Sequence, residues 1–132
     1  MNFLRAIFPS RNDREVKKIR PLVERINEIE VVLQTLSDDQ LRAKTAAWKE
    51  ELSKIEDSKE LAAKLTEILP EAFAVVKNAC RRLCGKDIQV REHPLHWEMV
   101  PFDVQLIGGY SLHTGHISEM AICGQVSCIG CA

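Results

Sequence analysis

No stretch of this chain approaches the roughly 20 consecutive apolar residues that a membrane span needs. The opening "MNFLRAIFPS" is too short and too interrupted to serve as the apolar core of a secretory leader. There is almost no net charge either. The 132 residues sum to −1, which leaves no overall electrostatic footprint for nucleic acid. No internal repeat or low-complexity tract is present, which excludes solenoid and fibrous architectures. The five cysteines are odd in number and follow no leader, so a disulfide framework is not expected. Lysine is missing from every position after Lys86, and this bears on chemistry below. These absences lead us to expect one cytoplasmic domain without nucleic-acid partners. Its 45% hydrophobic and 28% charged residues fit a globular chain with a core.

The charge that is present is unevenly placed. Arg5, Arg11, Arg14, Lys17, Lys18 and Arg20 face only Asp13 and Glu15 in the first twenty positions, whereas residues 24–71 carry twelve acids against seven bases. In residues 1–9, Phe3, Leu4, Ile7 and Phe8 share one helical face with Arg5 off it. That spacing suits a short amphipathic helix on a membrane or a partner, or a terminus docked on its own core.

From Asn12 the pattern is helical. Val16, Ile19, Val23, Ile26, Ile29, Leu33 and Leu36 recur every three or four residues and make one stripe. Pro21 falls inside it and predicts a kink or a restart near Arg20. "SDDQ" at 37–40 is a capping box that opens a second helix, with Leu41, Thr45, Trp48, Leu52 and Ile55 facing in. Ser58 is expected to cap a short third helix carrying Leu61, Leu65, Ile68 and Leu69. Pro70 suits the first turn of a fourth. Phe73, Val76, Cys80 and Leu83 would line its inner face, and Gly85 suits the position after its end. Beyond Gly85 the texture predicts irregular chain, a short helix starting near Phe102 with Asp103 in its first turn, and a strand at 117–120.

Four segments together resemble the N-terminus of the SecA family, the motor ATPases of the bacterial preprotein translocase. They are "SRNDREVKKIR" at 10–20, "LSDDQLRAKTAAWKEEL" at 36–52, "LPEAFAVVKNACRRLCG" at 69–85 and "PFDVQLIGGYSLHTGHISEM" at 101–120. The resemblance implies a mainly α fragment: an N-terminal helical segment over 10–85, then the first strand of an incomplete P-loop, helicase-like α/β nucleotide-binding domain over 86–120. Residues 121–132 form a divergent Cys/Gly tail. The resemblance also implies ATP and Mg²⁺ as cofactors of the intact family, and ATP-driven protein export across the inner membrane. The implied partners are the translocon channel, preproteins, anionic membrane at Phe3, Leu4, Arg5, Ile7 and Phe8, and a homodimer. The implied location is cytoplasmic and peripheral to the inner membrane.

Met99, Phe102 and Gln105 match the family's adenine-recognition motif. Their chemistry is sensible: a Gln amide offers a donor and an acceptor together, as the adenine N6/N7 edge requires. An aromatic ring and a thioether supply an apolar wall for the purine face.

The resemblance breaks after Met120. A loop of the form T-G-E-G-K-T should follow, with glycines for close approach to phosphate, a Lys for the β/γ charge and a Thr for Mg²⁺. "AICGQVSCIGCA" stands there instead, with no Walker B segment after it. The expectation is a chain inactive in ATP hydrolysis by itself, arising from a truncation or frameshift. The alternatives are a non-catalytic helical module for membrane or translocon, and a truncated nonfunctional product. A zinc site at Cys123, Cys128 and Cys131, with His113 and His116 upstream, is a further alternative. Its C-x4-C-x2-C spacing supplies only one chelating knuckle. His93 and His96 flank Pro94 without a matching carboxylate or nucleophile pattern and read as loop residues.

Overall fold

A computed structural model describes residues 11–119. The chain is mainly helical. Helix α1 spans Arg11–Leu33, α2 Asp38–Ser53, α3 Ser58–Leu83 and α4 Asp103–His113. A hairpin of β1 (Asp87–Val90) and β2 (His93–His96) lies between the last two. The described residues fall into two compact units: residues 25–100 form one, and residues 11–24 with 101–119 form the other.

The helix boundaries follow local chemistry. Ser37 Oγ accepts the Gln40 amide at 3.3 Å, and Gln40 Oε1 accepts the Ser37 amide at 2.8 Å, so the expected capping box opens α2. Helix α3 is capped by Asp57, whose carboxylate accepts the Glu60 amide at 2.9 Å. The expected cap, Ser58, is instead the first helical residue. An ionised carboxylate is the better partner for the positive end of a helix dipole.

The prolines divide the helices less than their chemistry suggests. Helix α1 is continuous through Pro21, whose exposed ring leaves the orphaned Lys17 carbonyl on the solvent side. The expected third and fourth helices are one element, α3, with Pro70 inside it. Burial of Leu69 and Ala74 on either side of Pro70 offsets the lost hydrogen bond, because most helix stability in a folded chain comes from packing.

Within the unit of residues 25–100, Ile26, Leu33, Leu41, Leu69 and Ala74 are buried. The inner face of α3 is not the expected apolar stripe. Val76 is exposed, while Lys77 and Asn78 are buried. Buried on α1 opposite them is Glu30, which accepts from Asn78 Nδ2 at 3.1 Å and from Arg81 Nε at 2.8 Å. Lys77 donates to Asn27 Oδ1 at 2.6 Å. Contact positions advance together on the two helices, so this part of α1 runs parallel to α3. Arg82 completes the join. Its Nη2 donates to the carbonyls of Leu33 (3.0 Å) and Leu36 (2.6 Å), its Nε to Asn78 Oδ1 and its Nη1 to Asp38 Oδ1 (both 2.6 Å). One guanidinium therefore ties the last carbonyl of α1 and the turn after it to the start of α2.

Gly85 follows α3 with φ +78, the left-handed value expected of a residue just past a helix end. Next comes the hairpin, in place of the expected irregular chain. Its register pairs Asp87 with His96, Ile88 with Leu95, Gln89 with Pro94 and Val90 with His93. The Trp97 amide donates to the Lys86 carbonyl at 3.0 Å. Alternation along an antiparallel ladder then puts Gln89–Pro94 at a non-hydrogen-bonded position, where the missing N–H of Pro94 costs the hairpin nothing.

In the other unit Val23, Leu106 and Gly108 are buried. Helix α4 begins where expected, with Asp103 in its first turn. The strand expected at 117–120 is not formed at Ile117–Glu119, and Met120 lies outside the described residues. A strand exists only through pairing, and among the described residues the only sheet is the hairpin of β1 and β2.

Candidate functional site

Phe102 occupies the N-cap position of α4 with extended backbone (φ −79, ψ 160). Its side chain cannot cap, so the helix start is held the other way round: the Phe102 amide donates to Gln105 Oε1 at 2.8 Å. Gln105 is half-buried, and this bond fixes its amide at the helix N-terminus. The second lone pair of Oε1 and the Nε2 donors are what an adenine edge would engage. Phe102 is 67% exposed, which suits an aromatic residue that stacks on a ligand rather than filling a core. Phe102 and Gln105 are therefore brought together, both in the unit containing α4. For a purine base the residues fit. For a triphosphate with Mg²⁺, residues 87–132 contain no lysine.

Met99 belongs to the unit of residues 25–100 and is half-buried. Its carbonyl accepts the indole Nε1–H of Trp97 at 2.8 Å and the thiol of Cys84 at 3.9 Å. The sequence carries one sign of this arrangement: a half-buried Trp needs a partner for its N–H. Neither Trp97 nor Cys84 is singled out by motif or spacing.

The histidines of the hairpin are exposed. His96 Nδ1 lies 2.7 Å from Asp87 Oδ1 across the ladder, where side chains on a non-hydrogen-bonded pair come closest. The Asp87 hydrogen bond raises the His96 pKa above its ordinary value of 6.5, with the charges of Asp87 and Glu98 adding to it against partial desolvation. Cys80 is half-buried, and burial pushes its thiol pKa up, with Cys84 adding to the effect. That keeps Cys80 a protonated packing residue rather than a nucleophile.

His113 and His116 are exposed near the end of α4, with His116 Nδ1 2.9 Å from Thr114 Oγ1. Cys123, Cys128 and Cys131 lie outside the described residues, as do Phe3, Leu4, Arg5, Ile7 and Phe8. Among the described residues no group of three metal-ligating side chains comes together, and no helix is long and apolar enough to cross a membrane.

The profile of the SecA DEAD-like domain family matches residues 4–124. The protein translocase subunit SecA of Chlorobium phaeobacteroides (strain BS1) is 40% identical over 92% of this chain and 15% of its own length. That of Prosthecochloris aestuarii is 43% identical over 87% of this chain and 15% of its own. That of Chlamydia muridarum is 41% identical over 91% and 12%. No solved structure matches. The chain thus spans about one-seventh of the length of the first two relatives. With a family profile covering nearly all of its residues, the chain belongs to the SecA family, in the part that carries the DEAD-like domain.

Proposed function

We infer that this chain serves ATP-driven preprotein export as the N-terminal helical part of a SecA-type motor, together with the approach to its nucleotide site. The observation that carries this reading is the match over residues 4–124, with relatives named protein translocase subunits. Met99, Phe102 and Gln105 contribute adenine contacts. The exposed Phe102 ring and the fixed Gln105 amide support that role.

ATP and Mg²⁺ are the cofactors of the working motor, and the triphosphate supplies the free energy of transport. This chain's own part is to take up and orient the base. Phosphate and Mg²⁺ contacts would carry most of the nucleotide affinity. The chain alone therefore binds adenine weakly and does not hydrolyse ATP.

Phe3, Leu4, Arg5, Ile7 and Phe8, backed by the basic residues through Arg20, make the contact with anionic membrane or with the translocon channel. Each Lys or Arg near an anionic surface contributes about 1 kcal/mol. Preproteins and a second copy of the motor complete the partners, and the location is peripheral to the inner membrane on its cytoplasmic side.

The adenine assignment is tested by titrating adenosine into the 132-residue chain and following backbone and side-chain amide resonances. Shifts centred on Gln105 that vanish in Gln105→Ala support the reading. Shifts unaffected by Gln105→Ala and Phe102→Ala contradict it. Vesicle flotation tests the membrane contact: binding should need anionic lipid and fall with salt. A non-catalytic helical module is the second reading, favoured by the absence of lysine after Lys86. It predicts vesicle or channel binding with no response to adenosine.

A further inference from the structure

We propose that Cys80 and Cys84 form a two-thiolate site for copper(I) at the end of α3, independent of the adenine reading and of the tail cysteines. Both thiols are free, Cys80 half-buried and Cys84 exposed. They stand four residues apart. Cys84 caps α3 with φ −52 and ψ 133. Its φ is close to the helical value of about −63, and φ fixes where Cβ stands relative to the peptide before it. The Cβ of Cys84 therefore continues the helical path, one turn beyond that of Cys80 and about 5–6 Å from it. Its ψ then turns the chain out of the helix, so no further turn of α3 covers the pair.

That spacing separates two chemistries. A disulfide needs Cβ atoms roughly 3.5–4.5 Å apart, so the pair does not close on itself without unwinding the last turn. A shared ion asks for less. Metal–thiolate bonds of roughly 2.3 Å hold two sulfurs up to about 4.6 Å apart, which ordinary rotamers reach from Cβ atoms one turn apart. The ligands then choose the ion. Two thiolates are present, and among the described residues no third His, Cys, Asp or Glu completes a group with them. Zinc, which takes four ligands in structural sites, is not satisfied. Copper(I) is soft, prefers sulfur and accepts two ligands in line.

Binding exchanges two S–H protons for one Cu⁺, with no change of oxidation state, and leaves a centre with one net negative charge. The metal itself drives off the proton that Cys80 otherwise holds. The negative end of the helix dipole opposes the new charge. Arg81 and Arg82 between the thiols and Lys86 just after them offset it. The Cys84 thiol also donates to the Met99 carbonyl at 3.9 Å, the same carbonyl that accepts the Trp97 indole N–H. Loss of the thiol proton ends that donation, so Trp97 reports on the ion.

The deciding experiment titrates the full 132-residue chain, reduced and free of oxygen, with copper(I) held by a chromophoric chelator. Cys123→Ser, Cys128→Ser and Cys131→Ser together remove the tail thiols and leave Cys80 and Cys84. This triple variant should take one copper(I) per chain, release two protons, and move the Trp97 indole resonance while that of Trp48 stays in place. Adding Cys84→Ser should weaken binding about a hundredfold, because the second ligand no longer comes from the same chain. In the same background, Ala79→Cys with Cys80→Ser keeps two thiols but moves one about 100° around the helix, and should lose as much.

A triple variant that takes no copper(I) overturns the proposal. So does equal binding by the chain with Ala79→Cys and Cys80→Ser, since any two thiols would then serve. One ion held between two chains, seen as a doubled mass, overturns it too. Tetrahedral thiolate absorption with cobalt(II), the coloured substitute for zinc, would assign the pair to a four-ligand metal and contradict copper(I). Cys84 is exposed, so Cys84→Ser spares the fold and decides the matter even where Cys80→Ser unfolds the chain: unchanged binding refutes the pair.

Discussion

Two charged contacts of nearly equal length behave differently because one is buried. Glu30 and Arg81 meet at 2.8 Å, with the Glu30 side chain only 3% exposed. His96 and Asp87 meet at 2.7 Å, with the Asp87 side chain 80% exposed. Burial alone would raise the pKa of Glu30. Hydrogen bonds from Arg81, Gln34 and Asn78, and the Arg81 charge, outweigh it and hold the carboxyl below its ordinary value. Glu30 belongs to a network that joins α1 to α3, so its loss is felt by the whole unit. The hairpin pair stands in water, where screening and side-chain entropy consume most of the attraction. Geometry alone would rank the two contacts together; solvent separates them.

The largest effect that would break this contrast is at Arg82. Arg82→Ala removes four hydrogen bonds, leaving buried Asn78 short of a partner and taking one from the carbonyls of Leu33 and Leu36 and one from Asp38. Denaturant unfolding should show a loss of about 3 kcal/mol. A loss near zero would mean that water replaces the guanidinium without penalty. Glu30→Gln comes next. It keeps the shape and removes the charge, and should cost about 2 kcal/mol by the same measurement, charge-assisted bonds being the stronger kind.

Acid titration sharpens the comparison further. The Glu30 pKa is depressed in the folded state, so its stabilisation is complete above the ordinary value of 4.5 and is lost as pH falls through the folded value. Unfolding free energy measured from neutral to acid pH should therefore fall more steeply for the unaltered chain than for Glu30→Gln. The smallest effect belongs to the hairpin. His96 is raised above 6.5, so its contribution is full below that value and is lost as pH rises through the folded one. His96→Ala should leave global unfolding unchanged, and the pH response should appear only in hairpin resonances.

The same contrast explains how much of the fold was legible in the sequence. Features set by neighbours along the chain were readable: the Ser37–Gln40 box, the turn at Gly85, the start of α4 at Phe102, and the stripe that buries Val23, Ile26 and Leu33. Features set by distant partners were not. A polar pair such as Glu30 and Asn78 carries no periodic signal, and its burial displaces the inner face of α3 away from Val76. Packing around Leu69 and Ala74 carries α3 through Pro70 against its local preference. The hairpin lacked the usual turn residues, since Arg91 takes a left-handed φ of 56, a conformation usually left to Gly or Asn. Pro94 has no N–H to give a ladder, and only the register, which places it opposite Gln89, puts that missing donor on the outward side. At the candidate site, Met99, Phe102 and Gln105 were candidates only through the family resemblance of the segment that carries them. The hold of Trp97 on Met99 became visible only in three dimensions.

The claim that this chain works as part of a SecA-type motor is tested most directly by exchange. Residues 11–119 would replace the matching segment of the Chlorobium phaeobacteroides translocase subunit, and the chimera's ATP-driven transport of a preprotein into inverted membrane vesicles would be measured. The account predicts transport at a substantial fraction of the parent's rate. A chimera that folds and melts like its parent but neither hydrolyses ATP nor moves preprotein would contradict it.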